Sequence, residues 1–355
     1  MIEIQKINYR VVAVTSDGQQ LDLTDITHAL GWSEGEKELS ARITMKLANV
    51  EYDSKLVSEL VQPFTPIFIY AGSDSLEEVI RGTVQKWSLR ETNGEMFLEI
   101  EAEDEVQALR HNMDEFFFTA DHTSTAILEE ILTEWGVPHE LQITDVTHGK
   151  KVYRKKYLID MINDVLKDLK EKGGGVYFVR AKEGVVQIIP RGLNETTYHF
   201  DIADNLTRTV ESFDVSKIVT RILVVAKSKD EGHQKIESTV DGKVDLGVRQ
   251  IIYERGDKET LEEAETAAKK ILEEQGDIER ETSIESPDVP SIRKGDRIRV
   301  KSSSGESYFF IKSIRHNAAS QRMTMELDED KEKNAAAGES YDTDHSDESG
   351  SSNPP

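Results

Sequence analysis

The feature of this sequence that most constrains its fold is a change in hydrophobic period along the chain. From Ile7 to about Asp104, apolar residues recur at every second position. The clearest run is Leu39, Ala41, Ile43, Met45 and Leu47. Such alternation is typical of half-buried strands, and the Asp17-Gly18 and Asn93-Gly94 pairs supply turn signals between them. We therefore predict an antiparallel meander or barrel here.

The period becomes helical in the middle of the chain. Apolar residues then mark one face of a helix from about Ser124 to Gly136, and a second stripe runs from Tyr157 to Leu169. Three glycines at 173–175 end the second helix, and a short hairpin is expected to turn at 182–184. This segment is predicted to be a small α/β unit.

Strand patterns return from about Ser216, interrupted by one predicted surface helix from Glu259 to Gln275. After Asp330 the sequence is acidic and nearly free of large apolar residues, which is typical of a disordered tail. The pattern predicts a β-rich α+β fold, with two antiparallel β regions that form meanders or barrels, an intervening α/β domain and a disordered acidic C-terminal tail. The expected boundaries are 1–112, 113–212 with the insertion, 213–329 with the surface helix, and 330–355 for the tail.

The two β regions also resemble each other in pattern. The stretch PIFIYAGSDSLEEVIRGTVQKWSLRETNGEMFLEIEAED and the stretch DRIRVKSSSGESYFFIKSIRHNAASQRMTMELDED share one order of strands, turns and an acidic end. Few residues are identical, and two antiparallel regions of similar size can share such a layout by chance. The alternative is that one chain carries two copies of one barrel.

Composition narrows the possible functions. The formal net charge is -24, so the chain is poorly suited to hold nucleic acid by neutralising phosphates. There is no cysteine, which removes disulfides and thiolate chemistry, and no apolar run is long enough to span a bilayer. The N-terminus alternates like a strand and lacks the layout of a signal peptide, so we expect synthesis in a cytoplasm and no membrane insertion by this chain.

No residue pattern predicts catalysis, a cofactor or a metal. The nine histidines include no HExxH pair. Asp121 and His122, beside Thr123 and Ser124, suggest part of a hydrolytic triad, but no nucleophile elbow accompanies them, so these residues are expected to cap the following helix. One candidate interaction patch remains, formed by Phe116, Phe117 and Phe118. Contiguous aromatics suit partner docking if exposed, whereas interdomain core is the plainer alternative.

The middle segment carries a family resemblance. The stretches FFFTADHTSTAILEEILTEWGVP, KKYLIDMINDVLKDLKEKGGGVYFVRAKEGVVQIIPRG and DIADNLTRTVESFDVSKIVTRILVVAKSKD occur in succession. Together they resemble tail-hub proteins of PBSX-type prophages, the XkdQ/YqbQ family, which is related to late control protein D and to the hub part of type VI secretion spikes. The resemblance runs from about residue 5 to 328 and leaves out the acidic tail.

The resemblance implies a structural baseplate hub of a contractile phage tail or tail-like particle. The resemblance also implies two antiparallel β-barrel domains per chain, joined by the α/β domain. Such hubs form a homotrimer whose barrels make a pseudo-sixfold ring, which joins the hexameric tail tube to the trimeric central spike and lines the channel. Expected partners are the tube protein, the spike protein and baseplate wedge or tape-measure proteins. DNA would pass an acidic channel without stable binding, and the protein would move from the bacterial cytoplasm to the virion or particle.

Two other readings stay open. A cell-wall or carbohydrate-binding tail module would display aromatic residues as a sugar platform. The three tryptophans, Trp32, Trp87 and Trp135, sit in apolar patterns and are expected in the core instead. A tail-associated hydrolase could hide two catalytic carboxylates among 68 acids.

Overall fold

The computed structural model describes residues 6–36, 39–227, 234–303 and 305–335. Contacts divide the chain into two compact units: residues Met1–Thr209 with Ser283–Pro355, and residues Val210–Thr282. These boundaries differ from the four segments expected from sequence, which stay a prediction. Of the tail, residues 331–335 are helical and 336–355 lie outside the described residues.

The described elements follow in chain order, with two short 3-10 turns at Thr24–Ile26 and Val244–Leu246. The strands are β1 (Asn8–Val14), β2 (Gln20–Asp22), β3 (Thr27–Glu34), β4 (Arg42–Ala48), β5 (Glu51–Tyr52), β6 (Lys55–Leu56), β7 (Pro66–Gly72), β8 (Glu77–Thr92), β9 (Glu95–Glu103), β10 (Met113–Phe118), β11 (His139–Leu141), β12 (Lys151–Tyr157), β13 (Tyr177–Lys182), β14 (Val185–Pro190), β15 (Tyr198–Asp201), β16 (Arg208–Asp214), β17 (Arg221–Ala226), β18 (Ile236–Asp241), β19 (Gln250–Arg255), β20 (Glu279–Pro287), β21 (Arg297–Ser302), β22 (Gly305–Asn317) and β23 (Arg322–Glu329). The helices are α1 (Val57–Leu60), α2 (Gln107–His111), α3 (Ser124–Glu134), α4 (Leu158–Glu171) and α5 (Leu261–Gln275).

A large, mostly antiparallel sheet dominates the first unit, as the period-two pattern predicts. Its strand order is β16-β20-β23-β22-β3-β4-β9-β8-β7-β1-β2, with β21 also on β22 and β15 parallel to β21. On β4, Ile43, Met45 and Leu47 face the core while Thr44 is exposed, which is the alternation a one-sided sheet requires. The β-rich antiparallel architecture is confirmed, and the pairing among described strands is an open path in which β22 meets β3.

Two meanders in this sheet, β7-β8-β9 and β21-β22-β23, have corresponding registers, up to a shift between Ile69 and Tyr70 in β7 that β21 lacks. The middle strand of each pairs first with the preceding strand and then with the following one. Pro66 lies opposite Thr83 in the first meander, and Arg297 lies opposite Phe310 in the second. The pattern likeness seen in the sequence therefore corresponds to a likeness in backbone pairing.

Both middle strands also carry a β-bulge at the same point of the meander. The register with the following strand shifts between Val84 and Lys86 in β8 and between Ile311 and Ser313 in β22. A bulge adds one residue and bends the strand, so its position shapes the sheet around it. The two meanders therefore bend at equivalent places.

The turn that enters each meander is shared as well. Phe64 and Gly295 both have positive φ, at 70° and 89°. The N–H of each donates to the carbonyl of the residue before the bulge, at 2.9 Å in both cases. Such backbone is unfavourable for most residues and is kept only where the fold requires it.

Side-chain caps complete the correspondence between the turns. Thr65 Oγ1 accepts from the N–H of Gln62 at 3.0 Å, and Asp296 Oδ2 accepts from the N–H of Arg293 at 2.9 Å. Turn, register and bulge together show one local structure occurring twice in the chain.

The helices lie where their sequence patterns predict. Helix α3 begins after Thr123, whose side chain accepts from the N–H of Ala126. Among the residues expected to cap this helix, Thr123 therefore does so, and Asp121 and His122 do not. Helices α3 and α4 pack together, and a core that includes Leu128, Ile131, Met161 and Ile162 lies between them and the β13-β14 hairpin. The hairpin turns at 182–184, as predicted.

The second unit has a core of its own. Strand β17 lies between β18, which is antiparallel, and β19, which is parallel. Ala264 and Ala268 of helix α5 pack on Ile222 and Val224 of β17. The helix starts with a capping box formed by Thr260 and Glu263, which accounts for the predicted surface helix.

Candidate functional site

The predicted aromatic patch is split between core and surface. Because β10 is a strand, successive side chains point to opposite faces. Phe116 and Phe118 are 9% and 1% exposed and belong to the core, so they are not a bare patch, whereas Phe117 is 58% exposed. Phe117 lies opposite Val152 of β12, and its docking role stays a prediction.

A cluster of buried charges joins three parts of the first unit. We call Glu34, Arg180, Arg293, Lys294 and Asp296 the ionic junction. Arg293 forms a bidentate ion pair with Glu34 at the end of β3. The Nη2 of Arg293 also donates to the carbonyl of Ala181 at 3.0 Å. The first β region, the α/β segment and the second β region therefore meet at one guanidinium.

The other members of the ionic junction reinforce this contact. Arg180 of β13 donates to Asp296 Oδ1 at 3.1 Å and to the carbonyl of Lys294 at 3.2 Å. Lys294 Nζ donates to the carbonyl of Gly35 at 3.3 Å. Buried charges need such partners because losing water is costly for an ion.

Two buried carboxyls in this region, Glu34 and Asp104, have pKa values shifted in opposite directions. Burial alone would disfavour ionised Glu34, but the Arg293 guanidinium holds the pKa of Glu34 below its ordinary value. Asp104 is also buried, and loss of water raises its pKa to about 7. Its Oδ1 accepts from the N–H of Val106 at 3.2 Å, while Oδ2 has no partner among the described residues. Asp104 therefore changes charge near neutral pH.

A serine, a histidine and an aspartate lie in the order of a hydrolytic triad. Ser124 Oγ is 2.8 Å from His148 Nε2, and His148 Nδ1 is 3.3 Å from Asp168 Oδ2. Burial lowers the pKa of His148, which suits a neutral ring accepting from the serine. Ser124 and the His148 side chain are 0% exposed, so no substrate reaches this hydroxyl in the folded chain. The three groups fasten the loop before β12 to α3 and α4.

A second buried network joins the two β regions. His316 of β22 and Asp288 share a 2.6 Å contact, and Asp288 Oδ2 accepts from the hydroxyl of Tyr9 at 2.6 Å. Trp32 of β3 stacks on the His316 ring with a centroid distance of 4.5 Å. The network reinforces the pairing of β22 with β3 and contains no nucleophile.

An open groove of about 630 Å³ runs along the outer face of β3, β4, β8, β9 and β22. Its lining includes five cations, Arg42, Lys46, Lys86, Arg90 and Arg315, and two carboxylates, Glu99 and Glu101. Lys86 pairs with Glu101 and Arg90 with Glu99, both at 2.7 Å, so both carboxylates are matched and the lining carries an excess of positive charge. The groove is therefore a sheet face of mixed polar and apolar character without a cluster of reactive groups.

The tryptophans do not form a sugar platform. Trp32 is 1% exposed, and half-buried Trp87 donates to the carbonyl of Val61 at 2.9 Å. Trp135 lies at the surface and not in the core as predicted, because it follows the last turn of α3 and donates to Asp114 Oδ2 at 2.9 Å.

Within the described residues, no group of histidine and acidic side chains could hold a metal ion. No described helix is long and apolar enough to cross a membrane.

The ionic junction was missed by sequence reasoning. Glu34 and Arg293 are 259 positions apart, and nothing in their local sequence distinguishes them from surface charges. The segment IRKGDRI carries one signal: its glycine sits where a strand begins, and its Asp can cap a turn. That signal indicates a turn but not its partners.

The fold has counterparts among solved structures. The tail protein from Neisseria meningitidis MC58 matches with TM-score 0.65 at 11% identity, covering 91% of this chain and 97% of that chain. The 43 kDa tail protein of prophage MuSo2 from Shewanella oneidensis matches with TM-score 0.65 at 13% identity, covering 91% and 98%. The E. coli c3393 protein, a component of the type VI secretion system, matches with TM-score 0.54 at 11% identity, covering 92% and 78%.

The fold is thus one found in phage tail proteins and in a type VI secretion component. A search of curated proteins found no match. The YQBQ-like family model matches residues 67–329, well over half of the chain. The chain belongs to the YQBQ-like family.

Proposed function

We propose that this protein is a structural baseplate hub of a contractile phage tail or tail-like particle. In this proposal three copies form a pseudo-sixfold ring that joins the hexameric tail tube to the trimeric spike and lines the central channel. Tube, spike and wedge or tape-measure proteins are its partners, and DNA passes without stable binding. The protein is made in the bacterial cytoplasm and then resides in the particle.

The observation that carries this proposal is the duplicated meander. Turn, register and bulge occur twice, at residues 62–103 and 293–329. We infer that each copy belongs to one barrel-like module. A chain with two similar modules resolves a mismatch of symmetry, because three such chains present six similar surfaces on one side and threefold symmetry on the other.

A structural role also fits the burial of the serine at the Ser124–His148–Asp168 site. Ser124 is fully buried, and its hydroxyl already donates within the fold. A serine hydrolase needs an exposed hydroxyl beside an oxyanion site. Labelling with a serine-reactive fluorophosphonate should therefore fail, and labelling at Ser124 would revive the hydrolase alternative.

The test is the mass of the purified protein by light scattering at several concentrations. We expect a mass near three chains, followed by ring-shaped particles in electron microscopy. A monomer that stays monomeric when the tube and spike proteins are added would overturn the proposal.

A further inference from the structure

The β10-β12 pair presents an unusual exposed surface, which we call the basic ribbon: residues 113–118 and 150–157. One face packs on the core through Phe116, Phe118 and Tyr153. The other face exposes two cross-strand apolar pairs, Met113 with Tyr157 and Phe117 with Val152. These four side chains are 48%, 41%, 58% and 46% exposed, so the surface is apolar enough to favour a partner.

Positive charge surrounds these apolar pairs and is only partly matched. Lys151 pairs with Asp164 and Asp168 at 2.7 Å each, and the ribbon also contains Asp114 and Glu115. The sequence Lys-Lys-Val-Tyr-Arg-Lys-Lys-Tyr occupies 150–157 in a chain of net charge -24. Arg154 and Lys155 are exposed and have no carboxylate partner among the described residues. Lys150 Nζ lies 5.1 Å from the Phe117 ring centroid. The ribbon therefore fits an acidic, partly apolar partner.

A complementary surface exists elsewhere in the same chain. Residues 91–96, the end of the β8-β9 hairpin, extend past Phe97, the last residue of β9 that pairs with β4. Together with Leu89 and Arg90 at their base, where Arg90 pairs with Glu99, we call residues 89–96 the acidic arm. Leu89 and Met96 are 43% and 40% exposed on this arm. Glu91 and Glu95 flank them, exposed and without cationic partners among the described residues.

The duplicated meander shows that the acidic arm is an addition. When the two meanders are aligned at their bulges, the Arg90–Phe97 pair corresponds to the Asn317–Arg322 pair. The Asn317–Arg322 pair is the last one between β22 and β23 before their turn. The first hairpin continues through two more pairs, to Thr92 opposite Glu95. The sheet itself does not need this extension, since the second copy closes without it.

We propose that the acidic arm of one copy docks on the basic ribbon of the next copy. Chains of net charge -24 repel one another at a distance, so local regions of opposite charge favour association and fix its orientation. The arm and ribbon supply two carboxylates against two free cations, with exposed apolar side chains on both. Because the two surfaces differ, the contact is head-to-tail, which is the type that closes into rings. This inference rests on the proposed ring and names its interface.

Charge reversal tests the contact. In the variants R154E/K155E and E91K/E95K, like charges face each other, and we expect trimer association to weaken by about tenfold or more in each. Combining all four changes restores opposite charges and should recover most of the association. The matched control K167E/K182E changes exposed lysines outside the ribbon by the same charge and should leave the mass unchanged.

The outcomes separate the interface from the ring. A wild-type trimer that persists in both double variants overturns the interface alone, as does a fourfold variant that is weaker than either double variant. If R154E/K155E stays trimeric but loses affinity for duplex DNA, the ribbon is a nucleic-acid contact and the proposal is wrong.

Cross-linking covers the case in which the wild-type chain is monomeric alone. The chain has no cysteine, so M96C/V152C introduces a single reactive pair. A covalent ladder of copies with a short bismaleimide, in the presence of the spike protein, supports the contact. No ladder, or an equal ladder from the control M96C/K182C, overturns it.

Discussion

Single residues at the ionic junction decide whether three segments stay joined. Arg293 links all three: its side chain contacts Glu34 and the carbonyl of Ala181, and its backbone N–H donates to Asp296 Oδ2. Removing it leaves a buried carboxylate without its cation. The loss in the free energy of unfolding then comes mainly from the unpaired buried carboxylate, and less from the lost attraction of the ion pair.

Arg293→Met should lower the free energy of unfolding by about 3–5 kcal/mol. The double variant Glu34→Leu/Arg293→Met removes the stranded carboxylate and should recover much of that loss. Arg10→Met is the control, because the Arg10–Asp22 pair is 51% and 48% exposed and contributes about 0–1 kcal/mol. Urea unfolding measures all three. Equal losses for Arg293 and Arg10 would contradict the role of the junction.

Asp104 adds a pH dependence of opposite sign to that of most carboxyls. Its folded pKa of about 7 lies above the model-peptide value of 3.8, so the folded state binds a proton that the unfolded state has released. Its contribution is present at low pH and is lost as pH rises from about 4 to 7. Asp104→Asn, which is always neutral, should be more stable than wild type at pH 8 and lose this difference near pH 4. The slope is at most about 1.4 kcal/mol per pH unit. A constant difference across pH would show that Asp104 ionises normally.

Among the elements, the entry turns of the two meanders offer a paired comparison. Gly295 has φ of 89°, and an added Cβ would lie 2.8 Å from Phe178 Cδ2. Phe64 has the same kind of backbone, is already a non-glycine residue and is 75% exposed. The same local structure therefore tolerates a side chain in one copy and not in the other.

Gly295→Ala should accordingly destabilise the protein by more than about 1 kcal/mol. Phe64→Ala, the equivalent site, should change stability by less than about 0.5 kcal/mol. Thermal unfolding of both variants is sufficient. Similar melting temperatures for the two would mean that close packing against Phe178 is not the cause.

Elements with a strong local signal were predictable, and elements defined by distant partners were not. Helices α3, α4 and α5 and the 182–184 turn have periodicity, caps or glycines within a few residues. The period-two rule, if it is extended past Asp104, also predicts that Phe116 and Phe118 lie on one face of a strand and Phe117 on the other. By contrast, the pairing of β22 with β3 depends on residues far apart, which no window of sequence contains.

For the whole molecule, the likeness of the two meanders matters more than any single site. The sequence pattern left duplication and coincidence as alternatives, because strand patterns are degenerate. Register, bulge and capped turn are independent features, and their joint recurrence favours duplication. The candidate functional features are accordingly surfaces and the ionic junction, and sequence motifs do not reveal either of these.

The distance between Glu34 and Arg293 along the chain also sets an order of events during synthesis. The carboxylate leaves the ribosome 259 residues before its guanidinium, which at 5–20 residues per second is a delay of roughly 10–50 s. During that time the β3 edge that later receives β22 is unpaired and can join a neighbouring nascent chain. Translation speed and chaperone access over this interval therefore govern the yield of correctly folded protein.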